Sequence, residues 1–251
     1  MSFLRSKAIV LKAVDYGESD KIVTFYTQEF GKLTAIAKGA KRSKKRFVNK
    51  LEFFSLLDIM LVPSQRSSLS RLDNASLLNP FPPLRENYHR YTGAMLVCEL
   101  VDQWTRENDR ESALFQLFCW CLHDLARNPS LSPTIIYFQV KMFDILGLGL
   151  QLDHCLACGA MDPAASPYHF SPAHSGIICS PCARGHGLGL LPLSIPSIKI
   201  MRMAQSLPAE RLNRLKISRR SLIESANILK LYCQFQLQHE IHSWKQFDLS
   251  K

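Results

Sequence analysis

No run of eighteen apolar residues occurs in this chain of 251 residues, so no segment has the length that an apolar helix needs to span a bilayer. The start, Met1-Ser-Phe-Leu-Arg5-Ser-Lys7, lacks the unbroken apolar core of an export signal. A cytoplasmic protein without a membrane partner is the expectation. Internal repeats and low-complexity tracts are missing too, which argues against solenoids and disordered tails. Enzyme signatures are equally scarce. There is no H-x-E to accompany a P-C-x-x-C deaminase pair. His239-Glu-Ile-His242 is spaced too closely for two imidazoles to meet one ion from a helix face. Gly185-His-Gly-Leu-Gly189 has neither a following Lys-Ser/Thr nor a preceding parallel strand, so it reads as a flexible exit and not as a phosphate loop. With no G-x-S-x-G either, an active site has no support and a non-enzyme is expected.

Positive charge is plentiful and uneven. Lys and Arg number 31 against 21 Asp and Glu, a net +10 that points to a polyanionic partner. Residues 1–80 hold 14 bases and 7 acids. Within them Lys38, Lys41, Arg42, Lys44, Lys45, Arg46 and Lys50 fall in thirteen residues without one acid. Arg211, Arg214, Lys216, Arg219 and Arg220 form a sparser second cluster, and the stretch 81–150 between them is slightly acidic.

Period-two runs over 5–14, 20–28, 32–38, 53–62 and 68–78 predict five strands. Five strands in about eighty residues suit a small closed barrel such as an OB-fold; periodicity also allows an SH3-like barrel or half of a sandwich. Pro80-Phe81-Pro82-Pro83 marks the boundary, and helical periodicity follows. Tyr88, Tyr91, Met95 and Cys98 share one helix face, and Leu114, Leu117, Cys121 and Leu125 share that of a second helix, which stops at Asn128-Pro129. Ser132-Pro133 opens a third, apolar nearly all round, that belongs in the middle of a bundle. Leu193–Gln205 and a last helix from Ser218 to about Trp244 rejoin it. The expected class is α+β and multidomain: an OB-fold barrel (1–80), a helical-bundle domain (81–150 and 190–251) and an inserted four-cysteine zinc ribbon (151–189).

That ribbon rests on Cys155-Leu-Ala-Cys158 and Cys179-Ser-Pro-Cys182, two C-x2-C pairs twenty residues apart. In each, a tight turn aims two sulfurs at one ion, and Gly159 relieves the backbone as it reverses. A thioredoxin-like dithiol would need one pair on a βαβ unit, which is absent, and disulfides do not suit a reducing compartment. One structural Zn2+ per chain is expected, since four thiolates leave no open position. His154, His169, His174 and His186 are read as surface, and Cys98, Cys119, Cys121 and Cys233 as core.

Seven cations in thirteen residues between two strands would set a phosphate-binding edge beside a sheet, with Tyr26, Phe47, Phe53 and Phe54 as candidate stacking rings. A solvated basic loop is the alternative. Here the chain resembles a known family. Asp15-Tyr-Gly-Glu18-Ser-Asp-Lys21, Phe30-Gly-Lys32-Leu and Ala37-Lys38-Gly39-Ala40-Lys41-Arg42 are similar to the N-terminal signature of the bacterial RecO recombination mediators. The order of domains, the paired C-x2-C and the closing His242-Ser-Trp-Lys245 extend the resemblance over essentially the whole chain.

The resemblance implies a DNA-repair protein of the nucleoid that binds single- and double-stranded DNA and anneals complementary strands. With RecR it would help load the recombinase onto strands coated by single-strand-binding protein, whose acidic tail it would contact. Lys38, Lys41 and Arg42 match the basic part of the signature, extended by Lys44, Lys45 and Arg46; Cys155, Cys158, Cys179 and Cys182 match zinc ligands found in many members. A zinc-ribbon adaptor that meets nucleic acid only incidentally is the second reading, and a nucleic-acid-modifying enzyme the third.

Overall fold

The structure, a computed structural model, describes residues 3–64, 69–160, 167–185 and 189–247. Contacts divide the chain into two compact units, Met1–Arg127 and Asn128–Lys251. This division runs through the stretch 81–150 that the sequence reading joins into one helical domain, because the helices before Asn128 cluster with the barrel. Among the described residues, no helix is long and apolar enough to cross a membrane.

In the first unit β1 (Leu4–Tyr16), β2 (Asp20–Thr27), β3 (Gly31–Ala37), β4 (Leu56–Val62) and β5 (Ser70–Asn79) close an OB-like barrel in the order β1-β2-β3-β5-β4. Among the described barrel strands only the β3–β5 pairing is parallel. Alternation sends Val10, Val23, Phe25, Leu33, Leu57 and Ile59 into the core. A bulge between Val10 and Lys12 adds one residue to β1 and inverts its parity. Ala13 therefore packs inward, while Val14 and Tyr16 turn outward, 48% and 54% exposed.

Pro82 opens a short helix, α1 (Pro82–Glu86), at the position where its missing N–H costs nothing. The side chain of Asn87 then accepts from the Arg90 N–H and caps α2 (Tyr88–Trp104). In α3 (Ser112–Arg127) the expected stripe of Leu114, Leu117, Cys121 and Leu125 is buried. The expected face of α2 is buried only in part: Cys98 is covered and Tyr91 and Met95 are half-buried, but Tyr88 is 75% exposed, and Ala94, Leu96, Val97, Leu100 and Val101 are covered as well. Packing against α1, α3 and β1 covers α2 on several sides, so no single stripe describes it.

The second unit is built on α4 (Ser132–Ile145), buried nearly all round. Then come β6 (Tyr168–Ser171), β7 (Gly176–Cys179), the single turn α5 (Ser180–Ala183) and β8 (Leu191–Leu193), with sheet order β7-β6-β8. Helices α6 (Ile195–Ser206), α7 (Ala209–Leu212) and α8 (Arg219–Leu237) complete it. The α4 helix packs on α6 and α8, and Lys141 Nζ donates to the Gln205 and Leu207 carbonyls at 2.8 and 2.7 Å, satisfying the end of α6. At its other end Glu224 accepts from Ser197 Oγ at 2.6 Å and from the Ser194 N–H at 3.1 Å. Burial opposes the Glu224 charge, but the hydroxyls of Ser194 and Ser197 and the Arg220 guanidinium outweigh it and hold the carboxyl at about 2. Tyr232 of α8 ties the ribbon down: its hydroxyl donates to the Leu148 carbonyl at 2.9 Å, and its ring lies 5.0 Å from Phe143 and 5.9 Å from Phe170. The last helix stops at Leu237, earlier than expected, where Gln238 takes φ 59°, and the chain resumes as a 3-10 turn, His242–Lys245, that buries Trp244.

Candidate nucleic-acid interface and metal centre

Beyond β3 the chain is clamped to the β1–β2 hairpin. Asp20 accepts from the Gly39 N–H at 2.8 Å and from the Ser19 hydroxyl at 2.9 Å, bonds that hold its carboxyl below the usual range. Gly39, at φ 68°, turns the backbone into a 3-10 turn, Ala40–Arg42, whose Lys41 N–H donates to the Ser19 carbonyl at 2.9 Å. Two motifs some twenty residues apart in sequence thus form one surface.

Lys38, Lys41, Arg42, Lys44, Lys45 and Arg46 are all exposed on that surface, but they are not equivalent. Lys41 Nζ lies 3.1 Å from Asp15 and Arg42 Nη2 3.5 Å from Glu18. Arg46 folds back, donating to the Lys38 carbonyl at 2.6 Å with its guanidinium 4.4 Å from the Phe47 ring centroid. Among the described residues Lys38, Lys44 and Lys45 make no ion pair. Lys50 is structural, its Nζ donating to the Arg46 and Ala75 carbonyls, each at 2.8 Å.

Three of the four candidate stacking rings are core. Phe47 fills the barrel. Tyr26 lies under α3, 6.5 Å from both Phe115 and Phe118, and Phe54 meets Tyr91 edge-on at 5.5 Å. Phe53 is half-buried, and its carbonyl accepts from Arg85 Nη2 at 2.6 Å. Apolar surface is offered elsewhere. Register aligns Val14 with Ile22, Ile22 with Ile36 and Ile36 with Arg71, a row on the outer face because the neighbouring Ala13, Val23, Ala35 and Ala37 point to the core. Tyr16 stands beside it, next to Gly17, whose carbonyl Lys41 Nζ approaches at 3.5 Å. Sequence reasoning missed this row: uninterrupted alternation from Ala8 and Val10 would send Val14 and Tyr16 inward.

In the ribbon the four predicted sulfurs, of Cys155, Cys158, Cys179 and Cys182, lie within 4.8 Å of one another. The first pair is closed by the Gly159 N–H donating to the Cys155 carbonyl at 2.8 Å, with Gly159 at φ 74°. In the second, Cys179 ends β7 and Cys182 lies on α5 directly after it. Backbone bonds bring the knuckles together, the Leu156 N–H donating to the Ile177 carbonyl at 2.9 Å and the Ile177 N–H to the Gln151 carbonyl at 3.1 Å, and Gly176 permits it: a Cβ there would lie 2.8 Å from the Gln151 carbonyl oxygen. Cys158 and Cys179 sulfurs stand 3.7 Å apart, close to the edge of about 3.8 Å that a tetrahedron with 2.3 Å zinc–sulfur bonds requires. The set therefore fits a four-thiolate ion. Burial pushes the Cys155 thiol up, but the N–H groups of Cys179, Cys158 and Ala157 prevail and bring it down to about 6. Hydrogen bonds with Cys179 and Cys158 push Cys182 up to about 12, the behaviour of sulfurs crowding one negative charge. His154 and His174 are exposed, and His186 lies outside the described residues. Cys98, Cys121 and Cys233 are core as expected, whereas Cys119 is only half-buried.

An OB-like barrel with a basic edge, a helical part and a ribbon able to hold a metal define the class of protein. Residues 1–81 match the family model described as Recombination protein O N terminal, and residues 85–245 that described as Recombination protein O C terminal. The chain belongs to the RecO family of DNA repair and recombination proteins. It is 32% identical over 245 residues to the DNA repair protein RecO of Syntrophus aciditrophicus (strain SB), covering 97% of this chain and 95% of that one. The Geobacter metallireducens protein of the same name is 36% identical (73% of this chain, 74% of its own), and that of Myxococcus xanthus 37% identical (70% of each).

Proposed function

We propose that the protein is a non-enzymatic, nucleoid-associated recombination mediator of the cytoplasm. It binds single- and double-stranded DNA, anneals complementary strands and, with RecR, helps load the recombinase onto strands coated by single-strand-binding protein. The observation that carries the DNA reading is the joining of the exposed cations of 38–46 to the β1–β2 hairpin, beside the outward-facing Val14 and Tyr16. Cations neutralise the phosphates of two strands, and exposed apolar side chains offer the bases a surface. Annealing on this basis consumes no nucleotide. Lys38, Lys41, Arg42, Lys44, Lys45 and Arg46 are the DNA contacts in this reading. Residues 1–80 hold the strand, and the helical segments 81–150 and 190–251 meet the protein partners. The exposed Arg211, Arg214, Lys216, Arg219 and Arg220 suit the acidic tail of single-strand-binding protein. Cys155, Cys158, Cys179 and Cys182 would hold one Zn2+. A closed shell supplies folding energy to the 151–189 ribbon and no chemistry.

The test is annealing of two complementary oligonucleotides by the full chain without ATP. Pairing faster than the spontaneous rate, and slowed in K38A/K44A/K45A, is the expected result. DNA binding without acceleration would favour the adaptor reading instead.

A further inference from the structure

The outer face of β2 and β3 is divided into a covered and an open half. At one end Tyr26, paired with Lys32, is roofed by α3. Lys32 Nζ donates to the Asp102 carbonyl at 2.6 Å, and the Asn108 N–H donates to the Lys32 carbonyl at 2.8 Å. This close seating of the α2–α3 connection depends on Gly31, at φ +65°, where a Cβ would lie 1.9 Å from the Asp109 carbonyl oxygen. The next pair along the strands is Thr24 with Thr34, and the Thr34 hydroxyl donates to Glu107 Oε1 at 2.8 Å. The pair after that, Ile22 with Ile36, belongs to the open row with Val14. Glu107 thus stands on the line between the two halves. It touches a neutral hydroxyl and has no ion pair among the described residues. The connection as a whole, Thr105–Glu111, carries three acids and two bases, of which Arg110 is held by Glu29 at 2.9 Å.

We propose that this connection, through Glu107, is an acidic end-stop for a single strand of DNA lying on the open half of the barrel face. The proposal rests on the DNA reading above and adds the footprint. A strand held at the basic edge runs over Tyr16 and the Val14–Ile22–Ile36 row. At Glu107 a phosphate would meet a fixed like charge in front of a roofed sheet, so the strand leaves the surface there. A short footprint keeps the rest of the strand free to meet its complement.

The experiment titrates the full chain with labelled oligodeoxythymidines of about 4 to 16 nucleotides, the range covered by one OB-fold. Glu107→Lys should bind lengths beyond the wild-type plateau more tightly, and its slope of log affinity against log salt on those lengths should steepen by about 0.7. Glu107→Gln, which keeps an acceptor for Thr34, should tighten binding about two- to fivefold. Glu86→Lys, at the end of α1, makes the same change of charge away from the track. Equal behaviour of E107K and E86K at every length, or an E107Q affinity equal to wild type, overturns the end-stop. Failure of the DNA reading itself looks different: K38A/K44A/K45A would then bind as wild type does.

Discussion

The basic segment makes a graded prediction, because its six cations start from different states. Among the described residues Lys38, Lys44 and Lys45 make no ion pair, so each is free to displace a counterion from a phosphate. A contact to single-stranded DNA contributes about 0.7 to the slope of log affinity against log salt, and K38A/K44A/K45A should flatten that slope by about 2. Between roughly 50 and 200 mM salt, the affinity gap between wild type and this variant should then shrink about 20-fold. Lys41 and Arg42 must first leave Asp15 and Glu18. Those acids have side chains 61% and 94% exposed, and such surface pairs are worth only about 0–1 kcal/mol. They break readily, but the acids remain to repel the strand. Lys41→Ala with Arg42→Ala should therefore flatten the slope by less than the 1.4 or so of two free cations, and Asp15→Asn with Glu18→Gln should tighten binding. Fluorescence anisotropy of a labelled oligonucleotide over a salt series reads all of this. The reasoning is refuted if the triple variant keeps the wild-type slope, and the ranking is refuted if K41A/R42A loses more than the triple.

Elemental analysis of protein purified without chelator should give one zinc per chain, and Cys179→Ser should lower the thermal midpoint because the ribbon has little apolar core of its own; metal-free native protein would exclude the four-thiolate ion. The depressed Glu224 carboxyl contributes stability above its unfolded value near 4.5 and loses it as pH falls toward about 2, a contribution of up to about 3 kcal/mol. Urea midpoints should accordingly show Glu224→Gln destabilised at neutral pH, with the gap to wild type closing as pH drops from about 4.5 toward 2; a gap independent of pH would mean that Glu224 acts by packing alone.

Much of this architecture is local and therefore legible in the chain. Strand alternation, the helix start at Ser218, whose side chain accepts from the Ser221 N–H at 3.1 Å, the helix opened by Ser132-Pro133 and the C-x2-C knuckles each depend on neighbours a few residues away. The spacing of the cysteines was enough to single out the four sulfurs that the fold brings within 4.8 Å of one another, since a knuckle's geometry is set by its own turn. Other features hinge on contacts distant in sequence. The bulge at Val10–Lys12 falls just past Ile9, where the β1–β4 pairing ends while the β1–β2 pairing continues. That one extra residue decides whether Val14 and Tyr16 face the core or solvent. Tyr26 and Phe54 looked like stacking rings until α2 and α3 covered them, and a helix packed on from far along the chain leaves no mark on a strand's own pattern. The same holds for Lys41 and Arg42, whose charges read as free in a run without acids and are met in space by Asp15 and Glu18. Composition determined that the N-terminal part is cationic; only tertiary packing decided which cations stand unpaired and which half of the sheet stays open, because burial and ion pairing are properties of neighbours in space.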